Sequence, residues 1–317
     1  MKRNFIICSL LTVAMLLVPL AVMKKDTDKP VSGSTETFED TGYISVMKSE
    51  NGKVEKLSQK EYIVGVLAAE TDMNYHDEAL KAQAVASYTY ALYMKKQGDK
   101  NDLNGADLSD DPQIHQGYLD EAQRKEKWGD DFEINEAKAG KIADSMLGKV
   151  ILYENEPILA VYHDFNSGKT ESAATVWKKE IPYLVQVESA GDKLCTSLVS
   201  EKNLSYDEFR DSLSGIDGVV FDTDKKEWIG DIEKTESGYV LNVEICSNKV
   251  SSRDFRDVLG LKSCCFDVKS NEDGVEITVK GNGHMVGMSQ YGADYMARQG
   301  SGFEEILKYY YSNVEIL

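Results

Sequence analysis

The chain has 317 residues, with 36 lysines plus arginines against 54 aspartates plus glutamates and a net charge of −18. That surplus of acid excludes nucleic acid as a partner, which needs a basic footprint, and gives no charge-driven hold on anionic lipid. The length suits one large domain or two modest ones.

Residues 5–23 read FIICSLLTVAMLLVPLAVM without a charge, preceded by Lys2 and Arg3 and followed by Lys24 and Lys25. As a helix this run covers about 28 Å, close to the hydrocarbon thickness of a bilayer. Ala21, Val22 and Met23 do not form the small-residue exit of a cleaved signal peptide, and no lipoprotein cysteine follows. The run is therefore expected to be a transmembrane signal anchor, with residues 1–4 a cytoplasmic stub. The expectation is then a single-pass protein of the cell membrane, with the region after the anchor on the extracytoplasmic side. Residues 24–41, with Pro30, Ser32, Gly33 and Ser34, read as a flexible tether. Residues 42–317 remain for the folded region.

That region opens with strands across 43–58, turned at Asn51-Gly52. Ser58 and Glu61 form a capping box for a helix ending at Glu70, and a second helix runs from Asp77. In the second, Ala79, Ala82, Ala86 and Tyr90 make an apolar stripe at helical spacing. Residues 97–113 read as a loop with little to pack, and 119–146 as one charged helix. Strands follow at 150–163, 239–246 and 274–281, with short helices at 204–213, 251–259 and 303–311. Helices and strands do not alternate regularly. The expected class is α+β, mixed helices and mainly antiparallel strands around a substrate cleft, preceded by the transmembrane helix.

Cys195, Cys246, Cys264 and Cys265 show no C-x-x-C spacing, and with four histidines they do not suggest a metal site. For the adjacent Cys264 and Cys265, buried thiols are a better account than a disulfide. Glu70 closes an apolar helical stretch. Packed against that surface its carboxyl would lose solvation and hold a proton near neutral pH; a helix-end glutamate could equally face water. The segment from Gly281 to Gly292 sets His284, Ser289, Gln290 and Tyr291 among four glycines. Its hydroxyl, amide and ring groups suit a sugar, although it could be a plain turn. A Ser–His nucleophile lacks both an acidic orienter and a G-x-S-x-G elbow. A third patch holds His163, Ser167, Lys169 and Glu171 and leads to Trp177. Its Ser-Gly-Lys-Thr is no phosphate loop, because His163 stands where the first glycine belongs.

Glu61 to Glu70, Glu78 to Ala86, Val161 to Glu171, Val176-Trp177, Phe255-Arg256 with Leu259 to Ser263, and Gly283 to Gly292 come in a fixed order. Together they resemble the stage II sporulation protein D (SpoIID/LytB) family over roughly residues 43 to 317. The resemblance implies a lytic transglycosylase that cuts peptidoglycan in septal wall remodelling and engulfment during sporulation. It cleaves the bond between N-acetylmuramic acid and N-acetylglucosamine in strands lacking stem peptides, and needs no cofactor. It also implies a partner amidase/endopeptidase and a membrane protein. The family's catalytic glutamate falls on Glu70. Its motif lysine falls on Lys81, eleven residues on, three helical turns away on a related face. Tyr88 stands where the family has a substrate-binding arginine, and it can stack or hydrogen-bond without supplying charge. Some relatives carry a zinc site near residues 103–118; here only His115 remains, so none is expected.

In the implied mechanism Glu70 protonates the glycosidic oxygen and then, as a carboxylate, takes a proton from the sugar's own 6-hydroxyl, closing a 1,6-anhydro ring. One carboxylate suffices because the nucleophile belongs to the substrate. The substrate-binding set expected around it is Lys81, Tyr88, His163, Ser167, Lys169, Glu171, His284, Ser289, Gln290 and Tyr291. Two rivals stand beside this reading: a weakly catalytic glycan-binding scaffold, and a hydrolase that leaves reducing ends.

Overall fold

The computed structural model describes residues 40–97, 101–222 and 224–317. The expected stub at 1–4, the expected anchor at 5–23 and nearly all of the expected tether lie outside the described residues. Among the described residues no helix is long and apolar enough to cross a membrane. The rest is mixed α+β and forms two compact units, residues 40–161 with 296–317, and residues 162–295.

In the first unit β1 (Tyr43–Met47) and β2 (Val54–Ser58) pair antiparallel, Tyr43 opposite Ser58, around a turn where Gly52 has φ 71°. Ser58 and Glu61 complete the capping box of α1 (Gln59–Glu70). Thr71 ends that helix: its N–H (3.1 Å) and hydroxyl (2.6 Å) both donate to the Leu67 carbonyl. Helix α2 (Asp77–Gln97) carries the core. Its stripe residues Ala79, Ala82, Ala86 and Tyr90 are buried, and so are Ala84, Val85, Ser87 and Thr89 between them. A helix buried on nearly every side needs neighbours all round, here α1, α4 (Phe132–Ser145) and α9 (Phe303–Tyr310).

Two expectations fail here. The described part of the stretch expected as a loose loop, 101–113, packs: β3 (Leu108–Ser109) pairs parallel with β1, and Leu103, Ala106 and Leu108 are buried. The single helix expected at 119–146 is two, α3 (Glu121–Trp128) and α4, because Gly129 at φ 51° breaks the helical path. The unit closes with β4 (Ile151–Tyr153) between β5 (Glu156–Pro157) and β14 (Glu315–Ile316). Glu154 and Asn155, at φ 52° and 64°, make the tight β4–β5 turn.

The second unit holds three small sheets: β6 (Tyr162–His163) with β13 (Met288–Ser289), β7 (Val199–Ser205) beside β12 (Gly274–Lys280) and β11 (Phe266–Ser270), and β8 (Ile229–Lys234), β9 (Val240–Ile245) and β10 (Asn248–Ser251). All their pairs are antiparallel except β6–β13. Short helices α5 (Ala173–Trp177), α6 (Tyr206–Leu213) and α7 (Ser252–Leu259) pack around them. Phe209, Phe255 and Phe266 form one aromatic core, with Phe255 and Phe266 stacked at 5.0 Å. Cys246, Cys264 and Cys265 are buried free thiols. Helix α8 (Gln290–Arg298) is an element the sequence reading left out.

Candidate functional site

Glu70 is the last residue of α1, and the chain around residues 116–127 closes over it. The Gly117 N–H donates to Oε1 of Glu70. Gly117 must be glycine for this approach, because an added Cβ would lie 2.8 Å from Oε1 and 3.0 Å from the Ala69 Cβ. On one side the Gln116 amide donates to the Ser87 carbonyl (2.8 Å) and to the Tyr62 hydroxyl. On the other, Tyr118 stacks on Tyr62 with centroids 6.1 Å apart and planes at 6°. The Tyr118 ring occupies the space a side chain at Gly65 would need. Lys127 reaches back from α3 to the carbonyls of Ala68 (2.6 Å) and Ala69 (3.2 Å). The last turn of α1 is thus capped by a lysine placed where a helix C-terminus favours positive charge.

Three influences act on the Glu70 carboxyl. Burial raises its pKa above the usual carboxylate value, while the Gly117 N–H and the Lys127 charge pull it back. The raised pKa favours a proton at Glu70, and the N–H and the cation keep the carboxylate within reach. The neighbouring phenols of Tyr62 and Tyr90 are themselves pushed up, chiefly by burial, with the Glu70 charge adding to it. They stay neutral.

Lys81 and Tyr88 are placed differently from expectation. The chain leaves the helix after Glu70 and restarts at Asp77, so eleven residues are not three helical turns. Lys81 lies on α2 and pairs with Glu78 at 2.6 Å, whose other oxygen accepts from the Phe303 N–H at 2.8 Å. Tyr88 is fully buried, and its hydroxyl donates to the Asp40 carboxylate at 2.8 and 3.0 Å. It presents no ring face on which a ligand could stack. His115, the remainder of the expected zinc region, accepts from the Ser109 N–H at 3.1 Å, and burial lowers its pKa to about 4. No group of three potential metal ligands occurs among the described residues.

The other named residues belong to the second unit. Gly281, Gly283 and Gly287 all have positive φ, and so does the buried Met285, at 69°. At Gly283 a Cβ would lie 2.7 Å from that of His163, so the loop's approach depends on glycine there. The Asn166 carbonyl oxygen accepts from the Gly168 N–H (2.8 Å), which turns its amide nitrogen toward Nε2 of His163 (3.1 Å). Nε2 is then the acceptor, and Nδ1 of His163 donates to the Val286 carbonyl (3.1 Å). Nδ1 of His284 accepts from the Val286 N–H (3.1 Å), and its other nitrogen donates to the Tyr162 carbonyl. Burial pushes His163 down to about 4 and His284 to about 3. Both imidazoles are neutral and fully engaged with the protein. Their rings lie 5.8 Å apart, and Trp177 lies 5.6 Å beyond His284.

Ser289 is fully buried, and its hydroxyl donates to Oδ1 of Asp192 (2.7 Å) and accepts the Gly292 N–H (3.0 Å) as the cap of α8. With each histidine nitrogen already engaged, no Ser–His pair forms. Asp192 is buried too, and burial raises its carboxyl to about 6 against the hydrogen bonds of Ser189 and Ser289. Oε1 of the buried Glu171 accepts the hydroxyls of Thr235 (2.7 Å) and Ser237. Ser167 donates to the Ser237 carbonyl (2.9 Å), and Lys169 pairs with Glu188 (3.1 Å). Gln290 is buried, and the Tyr291 N–H donates to the Asp164 carbonyl at 3.0 Å. The structure therefore brings His163 and His284 together beside Trp177, with Glu171 and Ser289 as buried supports. Gly117, Gln116, Lys127 and Asp192 are the residues the sequence reading missed. The one local hint was a Gly-Tyr pair between a polar stretch and a helix.

Comparison with known proteins adds the family. A family model described as Stage II sporulation protein matches residues 47–153, the segment that holds Glu70, Gly117 and Lys127. The chain is 36% identical over 292 residues to Stage II sporulation protein D of Bacillus amyloliquefaciens, covering 92% of this chain and 83% of that protein. The same protein of Bacillus subtilis (strain 168) is 35% identical over 290 residues, with 91% and 83% covered. A Bacillus subtilis protein named Amidase enhancer is 26% identical over 298 residues, 78% of this chain and 39% of that protein.

Proposed function

The chain belongs to the stage II sporulation protein D family, a sporulation family, and on that premise we propose that it is a peptidoglycan lytic transglycosylase with Glu70 as its acid and base. The observation that carries the proposal is the Glu70 carboxyl itself, raised by burial and held at Oε1 by the Gly117 N–H. With Oε1 accepting, the proton of the acid form belongs on Oε2. Glu70 donates it to the glycosidic oxygen after N-acetylmuramic acid. The carboxylate left behind is stabilised by the same N–H and by Lys127, and it accepts the proton of the sugar's 6-hydroxyl as the anhydro ring closes.

In this proposal residues 5–23 anchor the protein and the catalytic region works on the extracytoplasmic side, where the glycan is. The likeness to a protein named Amidase enhancer supports an amidase/endopeptidase as partner, beside a membrane protein of the engulfment machinery. The test is mass spectrometry of peptide-free glycan strands digested by the full-length protein. The wild type should yield 1,6-anhydro ends, and Glu70→Gln should yield none. Anhydro products from Glu70→Gln would overturn the assignment, and reducing ends from the wild type would make the enzyme a hydrolase.

One observation favours the scaffold reading. The position of the family's substrate-binding arginine is taken by Tyr88, buried against Asp40. Strands bound but left uncut by the wild type would establish that reading instead.

A further inference from the structure

Lys48 follows the last residue of β1, and its backbone is held across the turn that comes next. Its N–H donates to the Lys53 carbonyl at 2.8 Å, and its carbonyl accepts the Gly52 N–H at 2.7 Å. A lysine is rarely buried, yet only 6% of this one is exposed. Its ammonium pairs with Asp110 at 2.9 Å and lies 3.7 Å from Asp120. Nζ also stands over the Tyr118 ring, 5.1 Å from its centroid. One cation thus meets both ends of the segment 110–120, which has neither helix nor strand to direct it.

That segment is the strap that brings Gly117 to Glu70. Its start is fixed to β1: the Asp110 N–H donates to the Met47 carbonyl (3.1 Å), and Oδ1 accepts the Ser49 N–H (2.7 Å), leaving Oδ2 to Lys48. Its end is fixed to α3, where Oδ1 of Asp120 accepts the Gln123 N–H (3.0 Å) as the helix cap and Oδ2 faces Lys48. Burial acts to raise the Asp110 carboxyl, but Lys48 and Ser49 prevail and hold it below the usual carboxylate range. It stays charged. A buried ion pair adds little stability over an apolar pair of the same shape, because both ions give up water. What it does impose is geometry, since separating the two leaves a buried charge without a counterion.

We infer that Lys48 is a positioning residue for the Glu70 acid, its ammonium tying together the two ends of the strap so that the Gly117 N–H meets the carboxyl. The inference rests on the reading of Glu70 as the acid, and it deepens that reading. Lys48 is buried and acts through Gly117, so it governs how fast bound glycan reacts and leaves glycan binding alone. The groups that face Glu70 itself are Lys127 from α3 and the phenols of Tyr62 and Tyr90 from α1 and α2. Around Tyr118 stand Arg124, Glu55, Asp120 and Glu61. None of these is altered in the variants below.

The test uses the full-length protein with Lys48→Met, Lys48→Arg, and Lys48→Met combined with Asp110→Asn. The combined variant removes the pair without stranding a buried carboxylate, so it folds even where Lys48→Met alone does not, and it leaves the net charge unchanged. Two quantities are read: kcat and KM on peptide-free glycan, and the titration of the Glu70 carboxyl. The latter is followed by its 13C resonance, identified as the one missing from Glu70→Gln. In the combined variant kcat should fall about tenfold with KM unchanged. The Glu70 carboxyl should titrate at higher pH, because it loses the N–H that favours its charged form. Lys48→Arg should recover most of both. In a Gly117→Ala background the combined variant should add nothing further, since both act through one contact. A loss of folded protein alone would lower Tm without moving the titration. An unmoved Glu70 titration, or effects that multiply with those of Gly117→Ala, overturns the role of Lys48. The enzymatic reading fails separately: a wild type that leaves strands uncut removes the reaction, and the titration alone then decides whether Lys48 positions Glu70.

Discussion

The N–H of Gly117 donates to the carboxylate of Glu70 across 47 residues of chain, and the bare Cα of Gly117 is what lets the two approach. The segment around residues 116–127 is thus as much a part of the acid as α1 is.

Gly117→Ala tests this directly. A Cβ 2.8 Å from Oε1 must displace either the carboxyl or the segment that carries the N–H. A hydrogen bond to a charged group contributes about 1.5–3 kcal/mol, so cleavage should fall by roughly one to two orders of magnitude. Loss of the N–H also removes an influence that lowers the Glu70 pKa, so the fall of activity with rising pH, as Glu70 loses the proton it must donate, should move to higher pH. An unchanged rate and pH profile would separate Gly117 from the chemistry.

The protonated form of Glu70 is favoured by folding, because burial raises its pKa above the value of the unfolded chain. Its contribution is complete below the ordinary carboxylate range and is lost as pH rises through the raised value. Glu70→Gln keeps a carbonyl for the Gly117 N–H and never ionises. Thermal melts should show it more stable than the wild type at neutral pH, with the difference closing in acid. Equal Tm values at pH 4 and pH 8 would contradict a buried, raised carboxyl.

Asp192 gives the same sign with a definite scale. Its folded pKa of about 6 against an ordinary 3.8 means that stability is full below 3.8 and falls as pH rises through 6. Asp192→Asn should match the wild type at pH 3.5 and exceed it above pH 7 by at most about 3 kcal/mol. Chemical denaturation at the two pH values measures the difference.

Gly65→Ala places a methyl group where the Tyr118 ring sits and 2.8 Å from the Leu119 carbonyl oxygen. Alanine favours the helix, but overpacking costs about 1–3 kcal/mol and shifts the strap that carries Gly117. Both the denaturation midpoint and the cleavage rate should drop. A variant with wild-type values in both would show that Tyr118 yields freely.

Tyr88→Phe removes only the hydroxyl bound to Asp40. It should cost about 1 kcal/mol of stability and leave KM for glycan unchanged. A raised KM would restore the substrate-binding role that its burial argues against.

Local chemistry was legible in the sequence wherever a short pattern determines the backbone. The Ser58–Glu61 box, the Asn51-Gly52 turn and the apolar run ending at Glu70 all stand where their residues imply. What escaped was long range. Gly129 breaks a charged segment whose composition is helical throughout, and β3 exists because β1 offers it an edge. Lys81 shows the limit of counting: its distance from Glu70 was sound as a number, but a turn separates the two helices. Glu70 could be read as a possible acid from its apolar neighbours, whereas Gly117 and Lys127 carry no periodic signal. Their roles follow from contacts that only the folded chain creates.

The reach of Lys127 to the carbonyls of Ala68 and Ala69 has a consequence in time as well as in space. Read from its N-terminus, the chain completes α1 long before it supplies the groups that clasp the end of that helix. A chain that stops short of residue 127 lacks both the Gly117–Glu70 clasp's flanking helix and the Lys127 contacts to Ala68 and Ala69. On the proposed reading the acid is then completed late, when the strap docks.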